Sequence, residues 1–220
     1  MSLAIFDLDN TLIAGDSDYE WGQHLVELGV VEGKVYADAN QRFYDAYKAG
    51  TLDILEFCRF AFRPLATHSI AKLREWREDF ITNRIRPLIL PAARSLLARH
   101  REAGDSLIIV TATNSFITRP IADELGVERL IATEPEWREG RFTGEPAGIP
   151  CFREGKVKRL EAWLAESGES LTGSWFYSDS HNDLPLLELV DHPVAVDADV
   201  PLTAHAEQKG WPVISLRFSD

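Results

Sequence analysis

The sequence predicts an α/β protein: a doubly wound, mainly parallel sheet with an inserted four-helix cap and a small β-hairpin. Three observations predict it. Two short apolar runs, residues 3–8 (LAIFDL) and 106–111 (SLIIVT), have the length and continuity of strands buried on both faces. Further strand-like runs alternate with segments of helical period, which implies parallel pairing. Residues 15–87, by contrast, contain no convincing strand.

Weaker strand signals fall at residues 130–131, 174–178 (SWFYS), 193–196 and 212–214. Leu96, Leu97 and His100 mark a helix before the second strand, and Val157, Leu160, Trp163 and Leu164 mark another before SWFYS. Residues 136–145, centred on Glu139-Gly140, read as a hairpin. Within 15–87 the apolar residues recur at helical spacing: Trp21, Leu25 and Leu28; Tyr36, Phe43 and Tyr47; Leu73, Trp76, Phe80 and Ile81. Breaks at Gly29, at Gly50-Thr51 and from Pro64 to Ser69 divide them into four helices, whose aromatic residues are expected in the core. Pro87 and Pro91 mark the return to the sheet. The expected division is a core of residues 1–14 and 88–220 and a cap of residues 15–87.

Bulk properties narrow the functions. With 220 residues, 45% of them hydrophobic and 26% charged, the chain can bury a sizeable core. A net charge of −12 and the lack of a basic stripe argue against nucleic acid as a partner. No apolar run is long enough to span a bilayer, and the start shows no basic leader or cleavage site. Two distant cysteines, Cys58 and Cys151, suit reduced thiols, so a cytoplasmic location is expected. Oligomeric state is not legible.

Four constellations carry chemistry. Asp7 and Asp9 end the first strand; residues two apart in an extended chain face the same way, so their carboxylates project together. Open α/β sheets bind ligands at that end, although an acidic turn in water would look the same. Ser178-Asp179-Ser180-His181-Asn182-Asp183 follows SWFYS and supplies two more carboxylates and an amide. Pro185 then suits the first turn of a helix, and Asp183 could simply cap it. Thr111, with Ala112 behind it, offers a hydroxyl and backbone N–H groups to phosphate oxygens, yet threonine ends many strands. Lys156 stands at a helix start and, taken singly, reads as a surface lysine.

In order along the chain these give a carboxylate pair, a hydroxyl, a lysine and a second carboxylate pair. This resembles the haloacid dehalogenase superfamily of phosphohydrolases, and within it the phosphoserine-phosphatase-like branch (subfamily IB), over essentially the whole chain. The segment Phe6-Asp7-Leu8-Asp9-Asn10-Thr11-Leu12 is its most specific part. The resemblance implies a Rossmann-like core and a Mg²⁺-dependent phosphomonoesterase. Asp7 would be the nucleophile that becomes an aspartyl phosphate, and Asp9 the acid that protonates the leaving alkoxide and then activates water. Thr111, Ala112 and Lys156 would hold the phosphoryl group. Asp7, Asp179 and the backbone carbonyl of Asp9 would ligate magnesium. Asn182 would lie near the phosphate, with Asp183 supporting Lys156 or the metal.

Electrostatics explains why such parts occur together. A phosphomonoester dianion about 4 Å from a carboxylate is repelled by on the order of 8 kcal/mol at an effective dielectric near 20. One Mg²⁺ and one ammonium supply three positive charges against those three negative ones. A leaving-group acid at Asp9 is needed for phosphate esters and not for dehalogenation.

For the substrate, the resemblance places an amine-binding acid nine residues after the nucleophile, at Asp16, beside Ser17. These residues equally suit a helix start with Ser17 or Asp18 as N-cap. The arginine that grips a substrate carboxylate in the family falls on Ala61, flanked by Arg59 and Arg63. Thr111-Ala112-Thr113 also replaces serine followed by glycines, and Ser178-Asp179-Ser180 replaces Gly-Asp-Gly. An amine-binding acid without a carboxylate grip fits an amino alcohol phosphate, and L-histidinol phosphate is the leading expectation. Phosphoserine is the alternative. A phosphotransferase or mutase, and a non-catalytic small-molecule binder, are rivals of other classes.

Overall fold

In the computed structural model, which describes residues 2–217, six strands form one parallel sheet. They are β1 (Leu3–Phe6), β2 (Ser106–Asn114), β3 (Arg129–Thr133), β6 (Trp175–Ser178), β7 (His192–Val196) and β8 (Val213–Ile214), in the order β3-β2-β1-β6-β7-β8. β4 (Pro135–Arg138) and β5 (Arg141–Pro146) make the separate antiparallel hairpin. Glu139 and Gly140 both take positive φ at its turn, 49° and 80°, as a tight two-residue connection requires. The chain progresses one way through β1, β2 and β3 and the other way through β6, β7 and β8. The strand order therefore reverses between β1 and β6, opening a crevice at their carboxyl ends.

Both sheet faces are covered, which is why the strands read as continuous apolar runs. Ala4, Phe6 and Ile109 face α5 (Pro91–Glu102) and α6 (Ser115–Glu124), while Leu3, Ile5, Ile108 and Phe176 face α7 (Glu154–Ser167), α8 (Leu184–Leu187) and α9 (Val200–Lys209). None of the described helices is long and apolar enough to cross a membrane.

Four helices lie between β1 and β2: α1 (Ser17–Glu27), α2 (Gly33–Lys48), α3 (Ile54–Thr67) and α4 (Ile70–Phe80). A π turn (Ile81–Ile85) and a 3-10 turn (Arg86–Leu88) return the chain. The two linkers run side by side, with Ala14 N–H donating to Leu88 O at 2.8 Å and Leu90 N–H to Leu12 O at 3.3 Å. Trp21, Phe62 and Phe80 belong to the same apolar cluster as Phe6 and Ile109, so helices and sheet share a continuous core.

Three local expectations differ from what is observed. β1 ends at Phe6, because the chain turns from Leu8 onward with Leu12 N–H bonded to Leu8 O at 2.9 Å. Pro64 lies inside α3, which continues to Thr67; the ring is buried, and α3 packs along β5, where Arg59 pairs with Glu145. The N-cap of α1 is Asp16, not Ser17 or Asp18, with its carboxylate accepting from Tyr19 N–H at 2.8 Å.

Candidate active site

β1 delivers Asp7 to the crevice, where it is 4% exposed. From the first turn of α7 comes Lys156, 2% exposed and far from the surface position its sequence context suggests. Its Nζ donates to Asp7 Oδ1 and to Asp183 Oδ2, each at 2.7 Å. The approach depends on Gly155, where a Cβ would stand 2.1 Å from Pro150 O. Burial opposes the lysine's charge, but the Asp183 and Asp7 carboxylates outweigh it and hold Lys156 protonated. Asp183 makes no helix-capping bond; Ser178 Oγ donates to it at 2.7 Å.

Asp179 follows β6. Thr11 Oγ1 lies 3.3 Å from Asp179 Oδ1 and 3.4 Å from Asp7 Oδ2, and accepts from Asp179 N–H at 3.1 Å. The two carboxylates thus converge on one hydroxyl. Burial first, then neighbouring carboxylates, push Asp7 up to about 7 despite Lys156, and raise Asp179 well above the usual carboxylate range. So much buried negative charge facing one ammonium fits a hard cation. Among the described residues no three His, Cys, Asp or Glu side chains form a cage. A pair of carboxylates completed by a backbone carbonyl, water and substrate oxygens is the donor set that suits magnesium.

Asp9 is held differently. Ser17 N–H donates to its Oδ1 at 2.6 Å, and Thr113 Oγ1 donates to Oδ2 at 2.8 Å. Thr111 Oγ1 stands 3.4 Å from the same Oδ2. Burial raises its pKa, partly offset by Ser17 and Thr113. A fixed carboxyl that holds its proton more tightly than usual suits a general acid.

Above this floor the sheet ends and the helices cover a cavity. Asp7, Asp9, Thr111, Ala112 and Thr113 form one side. Asp16, Asp18, Tyr19, Phe43, Tyr44, Tyr47 and Phe57 line it from the helical segment, and no Lys, Arg or His is among the lining residues described. Burial and the Asp9 carboxylate push Asp16 up to about 7.

The structure brings Asp7, Asp9, Thr111, Ala112, Lys156, Asp179 and Asp183 to one place, with Asp16 opposite. Ser17 does not line the cavity: its side chain is fully buried, and its backbone N–H serves Asp9. Asn182 is also set back, donating to Tyr47 O at 3.0 Å and accepting from Arg153 Nε at 3.0 Å. Arg153 Nη2 bonds Gly50 O, so Arg153 and Asn182 tie the end of α2 to the sheet side. Ala61 is buried, while Arg59 and Arg63 are exposed and off the cavity wall.

Sequence reasoning missed Thr113, Asp18, Arg153 and the aromatic wall. Thr113 carried a signal, since two residues beyond Thr111 on a strand it faces the same way. From the sequence Asp18 reads only as a possible cap. Tyr44, Tyr47, Phe43 and Phe57 were expected in the core, because periodicity marks an inward face without distinguishing core from cavity. Arg153 adopts φ 51°, which nothing in the sequence announces.

A family model described as haloacid dehalogenase-like hydrolase matches residues 4–188. A histidinol-phosphatase from Neisseria meningitidis is 44% identical, covering 98% of this chain and 99% of its own. A phosphoserine phosphatase from Mycobacterium tuberculosis is 31% identical, covering 98% of this chain and 71% of its own. The crystal structure of a protein of unknown function from Bordetella pertussis Tohama I superposes with a TM-score of 0.92 at 44% identity, covering 98% of both chains. The chain belongs to the haloacid dehalogenase-like hydrolases, in their phosphoserine-phosphatase-like branch. Its activity is that of a phosphoric monoester hydrolase.

Proposed function

We propose that the protein hydrolyses L-histidinol phosphate in the cytoplasm through an aspartyl phosphate on Asp7, with magnesium as cofactor. The observation that carries this reading is the pairing of a lysine-clamped aspartate with a cavity whose described lining has carboxylates and aromatic rings but no cationic side chain. A cationic head group suits such a lining, whereas a substrate carboxylate would find only like charge. The name of the 44% identical relative supports the same substrate.

Asp7 Oδ2, left free by Lys156, attacks phosphorus while Lys156 and Thr111 hold the phosphoryl oxygens. Asp9, kept in place by Ser17 and Thr113, gives its proton to the departing alkoxide oxygen. The same carboxylate then takes a proton from the water that attacks the acyl phosphate, and Asp7 is regenerated. Magnesium, held by Asp7, Asp179 and the Asp9 carbonyl, would neutralise charge on the phosphoryl group.

Phosphoserine is the second reading, favoured by the name of the 31% identical relative. Comparison of kcat/KM for L-histidinol phosphate, O-phosphoserine and O-phosphoethanolamine decides between them. The proposal expects L-histidinol phosphate to lead by at least ~10-fold; equal or better turnover of O-phosphoserine overturns it. Phosphate release without any acceptor, and no isomerisation of sugar phosphates, sets aside the mutase and binder readings. Treatment with EDTA is expected to abolish turnover and Mg²⁺ to restore it; full activity in EDTA contradicts the cofactor assignment.

A further inference from the structure

Asp16 and Asp18 are two carboxylates at the start of α1, and their surroundings divide their tasks. Asp16 is engaged by the Tyr19 N–H it caps. Asp18 Oδ1 accepts from Asn114 Nδ2 at 3.1 Å, and the Thr113 hydroxyl also acts on its carboxylate. Asn114 is itself fixed as the N-cap of α6, accepting from Ile117 N–H at 3.3 Å, so Asp18 is held from the sheet side. It lines the cavity together with Asp16 and Asp9. Asp18 shares the cavity lining with Phe43, Tyr44 and Phe57. No lysine, arginine or histidine of the described lining compensates it.

A half-buried carboxylate with neutral partners only is costly, and flat aromatic faces beside it favour a planar cation over a hydrated one. We propose that Asp18 is the specificity-determining residue for the ring of the substrate, accepting a hydrogen bond from a protonated nitrogen heterocycle that lies against the aromatic wall. This rests on the amino alcohol phosphate reading and deepens it: one carboxylate, Asp16, serves an aliphatic amine, and the second serves an imidazolium. A substrate with a single amine leaves Asp18 without a cationic partner; one with an uncharged ring of the same size fills the wall without meeting the carboxylate.

The test is a two-by-two comparison of kcat/KM. The wild type and Asp18→Asn are each assayed with L-histidinol phosphate and with L-phenylalaninol phosphate, which replaces imidazole by phenyl. The wild type is expected to prefer the imidazole by ~100-fold, and D18N to lose at least ~10-fold of that preference, chiefly in KM. A merely structural role would lower both substrates together. No imidazole preference in the wild type, or one that D18N keeps within about threefold, overturns the assignment. Preference of the wild type for O-phosphoserine over both would instead sink the underlying reading. Should D18N fail to fold, ¹⁵N NMR of L-histidinol bound to the wild type decides. An imidazole held by a carboxylate titrates above its free value, and an unchanged or lowered value overturns the assignment.

Discussion

At the floor of the cavity Asp7 and Asp183 share one ammonium at 2.7 Å from each, whereas at its roof Asp16 and Asp18 face aromatic rings and each other. The floor brings its own cation and holds each carboxylate from a strand end, a helix start or a hydroxyl. The described lining of the roof provides no lysine, arginine or histidine, and its Asp18 carboxylate meets only the neutral Asn114 amide and Thr113 hydroxyl. The difference separates two tasks. A reaction common to all phosphate esters needs positions and charges set in advance; discrimination among esters needs a demand that only the right ligand satisfies.

Four substitutions sharpen or break this contrast. Asp7→Asn keeps the shape of the floor and removes the attacking oxygen, so kcat is expected to fall at least ~1000-fold with an unchanged circular dichroism spectrum. Lys156→Met leaves Asp7 and Asp183 buried without their cation. It is expected to destabilise the fold by about 3–5 kcal/mol in denaturant titration and to remove turnover. A small loss of stability would show that the floor's charges are compensated by something other than Lys156.

Arg153→Ala cuts the ties to Gly50 O and Asn182 that bind roof to floor. Its kcat/KM for L-histidinol phosphate is expected to drop about 10-fold, with stability little affected, because closure positions the substrate. The smallest effect belongs to Asp16→Asn and is a matter of pH. Burial holds the Asp16 carboxyl at about 7 in the folded state against 3.8 for the free group, so folding favours its protonated form. That contribution is present below pH ~4 and is lost as pH rises through ~7. Asparagine also serves as an N-cap and does not ionise. In metal-free protein, D16N is therefore expected to gain stability on the wild type between pH 4 and 7 and to hold that gain above. A constant difference across that range would place Asp16 in contact with water.

The same contrast separates what the sequence announces from what it hides. The sheet was legible because strands buried on both faces are apolar throughout, and the pair Asp7 and Asp9 stood out because strand geometry places alternate side chains together. The depth of Lys156 was hidden: its burial depends on Gly155 passing close to Pro150, a contact between elements that no local pattern encodes. Pro64 misled in the other direction, since packing along β5 keeps α3 helical past a residue that usually ends a helix. The aromatic wall was hidden because ring residues at helical spacing look alike whether they meet side chains or a ligand.

The central claim is that the phosphoryl group passes through Asp7. Acid quenching during turnover of L-histidinol phosphate, followed by borohydride reduction, converts an aspartyl phosphate to homoserine, and peptide mass spectrometry locates it. Homoserine is expected at position 7, with aspartate unchanged at positions 9 and 179. Homoserine at either of those positions, or an unmodified Asp7 under conditions of rapid turnover, would contradict that claim.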